Sequence, residues 1–264
     1  MGRGYVVCVI PTVRATRYVT PLREGGSLPG LVEAEDWGTY VCKFRGAGQG
    51  IRVLVAEVIV SSLAQRLSFE TPRLVALELP GELARYEADQ EVQDLLRASV
   101  GLNLGVDFLP GSFGFGSSTK VTPEEAARIL WLDAFTANVD RSWRNPNLLV
   151  WHGRLIAIDH GAALYFHHGW SNGPTDPARF AAQPYNVDDH VFTTHADLMR
   201  RLAPDLAVEV GGDAIAWAVD QVPLEWLEAV APGSTAEEAG AAYRTFLSAR
   251  LESFRVWLPR EGAA

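Results

Sequence analysis

Asp140 and Asn145 stand in the spacing D-x-x-x-x-N, and a second acid, Asp159, follows after two short apolar runs. The runs are Leu148–Trp151 and Leu155–Ile158, with His152-Gly153 between them. That pattern predicts a β-hairpin. A hairpin returns the chain to its start, so Asp159 at its far end can face Asn145 at its near end. A carboxylate and an amide oxygen are hard donors of the kind Mg²⁺ accepts beside phosphates and water. Asp140 then has the place of a base that orients a hydroxyl and accepts its proton. The chemistry such a set suits is phosphoryl transfer, which needs positioning and charge neutralisation more than covalent work. Asn147 rivals Asn145 as cation ligand, because Pro146 between them leaves the register of the turn open. Arg141 and Arg144 could neutralise Asp140 or a phosphate. The competing reading makes Asp140 and Asn145 plain turn residues, since Asp and Asn favour turns for their own backbone bonding.

These residues need elements to hold them. Thr122-Pro123-Glu124-Glu125 is a strong helix start, with Thr122 as N-cap and Glu125 completing a capping box. The predicted helix, Pro123–Asn138, delivers the chain to Asp140. Upstream, Leu31–Glu35 and Thr39–Phe44 read as an antiparallel pair turning at Asp36-Trp37-Gly38. Lys43 lies in that second strand among apolar neighbours, where an ammonium needs a partner or must snorkel to water. Helical spacing over Ile51–Arg66 carries one acid, Glu57, which either pairs with Lys43 or faces solvent. Further strands are predicted at Tyr5–Ile10, Arg17–Leu22, Arg73–Leu79 and Val106–Leu109. Gly81–Ser99 reads as a charged helix with a solvated face. Ser112–Lys120 reads as a small polar loop. Ala162–Val191 is long and poorly periodic, which marks a functional or mobile loop. Helices are expected over Thr194–Leu202, Gly212–Val222 and Thr235–Leu258.

With 264 residues, nearly half of them hydrophobic, the chain can build one large or two-lobed core. A net charge of −9 excludes a general nucleic-acid binder. Two isolated cysteines, Cys8 and Cys42, make neither a disulfide framework nor a zinc site, and suit a reducing cytoplasm. The N-terminal apolar run is too short for a secretion signal, and no run reaches the length of a membrane span. The histidines of Ala162–Val191 have no metal-ligand spacing, since adjacent His167 and His168 diverge.

Asp140-Arg141-x-x-x-Asn145 and Ile158-Asp159-His160-Gly161, with Lys43 upstream, resemble the catalytic loop and metal-binding motif of HipA-like kinases, relatives of lipid kinases. The resemblance runs from about Arg17 to the C-terminus. Asn138-Val139 replaces the His-Arg that precedes the catalytic Asp in ordinary eukaryotic kinases. The resemblance implies an α+β, two-lobed fold: a mostly antiparallel sheet lobe over residues 1–111, a hinge near 107–111, and a helical lobe over residues 112–264. It implies ATP and Mg²⁺ held between the lobes, with Asp140 as base, Asn145 and Asp159 on the metal, and Lys43 on the phosphates beside Glu57. Gly25, Gly26 and Ser27 would cover the phosphates, unless residues 45–50 do so. The backbone at Phe108 and Leu109 would hold the adenine edge. The acceptor implied is a protein Ser or Thr hydroxyl, including one on the chain's own loop. The alternatives are a small-molecule or lipid kinase of the same fold, or a pseudokinase that binds nucleotide without turnover. The segment upstream of Arg17 is too short for the extra N-terminal subdomain of HipA toxins, so a compact form is expected.

Overall fold

A computed structural model describes residues 9–22, 28–48, 50–116, 118–171 and 173–259. Cys8, Gly25, Gly26, Ser27 and Gln49 lie outside them. The described residues divide into two units. One takes those up to Leu54 together with Pro72–Pro110; the other takes Val55–Thr71 and those from Gly111 onward.

In the first unit, period-2 alternation builds a barrel. Its strands are β1 (Thr12–Pro21), β2 (Gly30–Ala34), β3 (Thr39–Lys43), β4 (Leu74–Leu79) and β5 (Gly101–Asp107), in the closed order β1-β2-β3-β5-β4. Neighbours pair antiparallel except β1 with β4, which run parallel with Thr12 opposite Ala76. That pairing closes the sheet and removes its open edges. Val32, Tyr40, Cys42, Val75 and Leu77 point inward, and Leu96 of helix α2 (Gln90–Ala98) packs on them.

The expected β2–β3 pair is present, with Val32 opposite Tyr40 and the turn at Trp37. The first strand begins later than its apolar run suggested. Val9 and Ile10 precede it, and Tyr5–Cys8 are outside the described residues. Pro11 has no N–H to give a ladder, so pairing starts where its carbonyl accepts from Ala76. The charged helix over Gly81–Ser99 is two pieces, a 3₁₀ turn at Leu83–Tyr86 and α2. Asp89 separates them by accepting from the N–H groups of Glu91 and Val92, an N-cap that starts α2 afresh.

Helix α1 (Ile51–Arg66) has the expected limits and passes from the first unit's residues into the second's. The second unit is otherwise built on α3 (Pro123–Thr136). Its capping box is formed by Thr122 and Glu125, and Ala137 ends it in the left-handed region. A three-stranded sheet follows: β6 (Phe113–Gly114), β7 (Leu148–Trp151) and β8 (Arg154–Ala157). Thus part of the expected loop over Ser112–Lys120 is a short edge strand.

The remaining helices are α4 (Ala196–Asp220), α5 (Leu224–Val230), α6 (Ala236–Glu252) and α7 (Phe254–Trp257). The two short helices expected at Thr194–Leu202 and Gly212–Val222 are one element. It is kinked at Gly211, where φ is 52°. Burial of Ala203, Leu206 and Val210 holds the chain helical across Pro204, against its propensity. The final helix breaks at Ser253, whose hydroxyl turns back onto the Ala249 carbonyl. Trp131 stacks on Phe135, Trp257 packs tilted against both, and the buried Arg250 donates to the carbonyls of Ala134, Phe135, Ala181 and Gln183.

Candidate active site

The hairpin is formed as its sequence requires. His152 and Gly153 both take positive φ, 50° and 78°, the backbone a two-residue turn needs to match strand twist. Leu148 pairs with Ala157, and the Ile158 N–H donates to the Asn147 carbonyl at 3.1 Å. Asp159, itself at φ 56°, therefore follows directly on the residue bonded to Asn147.

Asp140 is exposed, and two amides converge on its carboxylate. The Asn145 Nδ2 donates to Oδ2 at 3.1 Å and the Asn147 Nδ2 to the same oxygen at 3.2 Å. Both asparagines thus serve Asp140. The atom an Asn offers a cation is its oxygen, and here the nitrogens are the atoms turned to Asp140. Asp159 is exposed and half-buried Asn147 lies at the same end of the hairpin. A carboxylate with amide oxygens is a donor set that fits Mg²⁺, which keeps waters and phosphates in its remaining positions. Among the described residues no group of three His, Cys, Asp or Glu side chains could hold a metal ion.

The loop is anchored on a buried acid. Asp133, on α3, is fully buried and accepts from Arg141 Nε at 2.6 Å, Asn138 Nδ2 at 2.8 Å and His190 Nε2 at 3.1 Å. The Phe192 N–H donates to His190 Nδ1, so His190 presents its Nε2–H to Asp133. Burial works to raise the Asp133 carboxyl, but the Arg141 charge and the His190 bond outweigh it and hold it well below the usual carboxylate range. Asn138 passes the constraint on, since its Oδ1 accepts from the Asp140 N–H at 3.1 Å.

Arg141 does not neutralise Asp140 or reach outward. It is buried and reaches around the loop from inside, donating to the carbonyls of Pro146, Asn147 and Ile158 and to His160 Nδ1 at 3.1 Å. One guanidinium therefore ties α3, the Asp140–Asn147 loop and the Asp159-His160-Gly161 turn together. Arg144 lies over the Trp143 ring and 4.0 Å from Asp189.

A family model for HipA-like kinases matches residues 16–255. The chain belongs to the HipA-like kinase family. No curated protein matches it. Among solved structures it is similar to the Golgi casein kinase, with 12% identity and a TM-score of 0.41 over 94% of this chain and 73% of that one. It is also similar to the Helicobacter pylori proinflammatory kinase CtkA, with 13% identity and a TM-score of 0.43 over 95% of this chain and 100% of that one.

In this HipA-like kinase, Asp140, Asn145, Asn147 and the return of the hairpin to Asp159 lie in the second unit. Lys43 lies in the first, half-buried on β3 opposite Leu104. Glu57 is 2% exposed, so it is not on a solvated face. The Phe108 N–H donates to Thr39 at 2.9 Å, and Leu109 is buried. Gly25, Gly26 and Ser27 are outside the described residues. Sequence reasoning missed Asp133, His190 and the inward role of Arg141. The signal for Asp133 was a single acid in an otherwise apolar run, Leu130-Trp131-Leu132-Asp133-Ala134-Phe135.

Proposed function

We propose that this HipA-like kinase uses ATP and Mg²⁺ to phosphorylate a Ser or Thr hydroxyl of a protein, its own loop included. The observation that carries the reading is the Asp140 carboxylate, exposed and fixed by two asparagine amides at the end of the hairpin that leads to Asp159. Asp140 orients the acceptor hydroxyl and takes its proton as the oxygen attacks the γ-phosphorus. The new O–P bond forms, the bond from the γ-phosphorus to the β–γ bridging oxygen breaks, and ADP leaves with that electron pair. Asn145 or Asn147 and Asp159 would hold Mg²⁺, which would supply charge neutralisation on the phosphates. Lys43 contacts the phosphates. We assign the family's two lobes to residues 1–111 and 112–264, a division that differs from the two compact units at Val55–Thr71 and Gly111. The composition, with its isolated cysteines, suits the cytoplasm, and among the described residues no helix is long and apolar enough to cross a membrane.

Intact mass spectrometry after incubation with ATP and Mg²⁺ tests the transfer without assuming a substrate. Wild-type protein should gain the mass of one or more phosphoryl groups, and Asp140→Ala should gain none. An Asp140→Ala protein that is phosphorylated at the wild-type rate would overturn the assignment.

A further inference from the structure

A cavity of about 830 Å³ opens beside the Asp140 loop, wholly within the second unit. Its wall on that side is Val139, Arg141 and Ser142, the residues flanking Asp140. The lining also takes in Tyr165, Phe180 and Phe166, the last stacked on Phe246 at 4.0 Å between ring centroids. The volume falls in the range of about 300–1,000 Å³ typical of ligand pockets. Arg141 and His190 of the Asp133 network also line it.

We propose that this cavity is an acceptor subsite, taking a large apolar side chain of the polypeptide whose hydroxyl Asp140 addresses. The inference rests on the phosphotransferase reading above. Three observations select that occupant. First, the cavity wall is continuous with the backbone on both sides of Asp140. An extended residue spans about 3.3–3.6 Å, so a side chain held there lies only a few residues from a hydroxyl at the carboxylate. Second, the two arginines in the lining face the fold. Arg141 is engaged by Asp133 and loop carbonyls, and Arg250 by four carbonyls. An acidic anchor would be opposed by the exposed Asp189 carboxylate at the wall, which is paired only at 4.0 Å with the exposed Arg144. Third, the apolar lining extends to the surface: Val139 is 69% exposed, Tyr165 64% and Phe180 46%. Clustered exposed apolar side chains mark a surface for a macromolecular partner, which an acceptor chain passing over the cavity would cover.

Gly169 allows a direct test. It lines the cavity, and a Cβ built on it meets nothing within 4 Å, so a side chain can start there without a clash, and Gly169→Trp is the variant chosen to occupy the space. The probes are synthetic peptides with one Ser, each flanking position carrying in turn Phe, Leu, Ala or Glu, assayed with Mg-ATP. The readout is the ratio of initial rates, Phe or Leu over Ala, at each offset. The wild-type ratio should reach about tenfold or more at one offset, the effect expected for burying a side chain of that size, with Glu no better than Ala. Gly169→Trp should bring that ratio close to one, and Tyr165→Ala should lower it severalfold. A melting curve checks folding. If Gly169→Trp does not fold, the surface variant Tyr165→Ala decides. An absent apolar preference, or one that survives the variant, overturns the subsite. So does a protein that hydrolyses ATP with Mg²⁺ but phosphorylates none of the peptides, and that outcome leaves the phosphotransferase reading standing. A protein that neither transfers, hydrolyses nor binds Mg-ATP ends both.

Discussion

Each residue of the Asp140 loop has a task that predicts a different loss when it is removed. Asp140 accepts two amide hydrogen bonds and is the residue proposed to take the hydroxyl proton. Asp140→Ala should therefore lower the transfer rate by at least about a thousandfold, within the range of general-base and positioning contributions, while nucleotide affinity changes little. Asp159 is assigned to the cation, so Asp159→Ala should weaken Mg-ATP binding as well, measured as Kd by titration. Asn145 and Asn147 both reach Asp140 Oδ2, and substitution separates them. The metal ligand is the one whose Ala variant raises the Mg²⁺ concentration needed for half-maximal rate. The other variant should lower the rate with unchanged Mg²⁺ dependence. If neither shifts the Mg²⁺ dependence, both are only supports for Asp140.

At the scale of elements, α3, the loop and the hairpin are joined by Asp133 and Arg141, each with a side chain fully out of solvent. Asp133→Asn leaves the Arg141 charge buried without its counter-charge. The expected cost is about 3–5 kcal/mol of unfolding free energy, read by urea denaturation. The pH dependence follows from the depressed Asp133 carboxyl. Its stabilisation is fully present above the unfolded carboxylate range, about pH 4, and is lost as pH falls towards the lower folded value. Wild-type protein should thus lose stability with a steeper acid slope than Asp133→Asn. The hairpin turn makes a separate prediction. Gly153 holds φ 78°, so Gly153→Ala should cost about 1 kcal/mol or more. His152→Asn, better suited to positive φ, should raise the melting temperature. This hairpin was legible because its turn chemistry and apolar runs are local in sequence. So were α1 and the α3 capping box. The Asp133 network was not, because His190 meets Asp133 across 57 positions and nothing local marks the pair. The kinked α4 escaped for a related reason: Pro204 and Gly211 speak for a break, and only tertiary burial answers them.

At the scale of the whole molecule, the assigned residues come from both units: Lys43 from the barrel, and Asp140, Asn145 and Asp159 from the helical unit. The proposed roles make nucleotide binding sensitive to Lys43 and to Asp159 in turn. A ligand that binds only the native state raises the melting temperature in proportion to RT ln(1 + [L]/Kd). At about a hundred times Kd the gain is about 2.7 kcal/mol, which at about 2–4 °C per kcal/mol for a chain of this size amounts to a shift of about 5–10 °C. ATP with Mg²⁺ should produce it, and ATP with EDTA should not. Lys43→Ala and Asp159→Ala should each reduce the shift, although the residues lie in different units. Asp140→Ala should keep it, because that carboxylate is assigned to the acceptor. A shift lost on Asp159→Ala but untouched by Lys43→Ala would confine the nucleotide's contacts to the helical unit. The barrel lysine would then have no part in holding the phosphates.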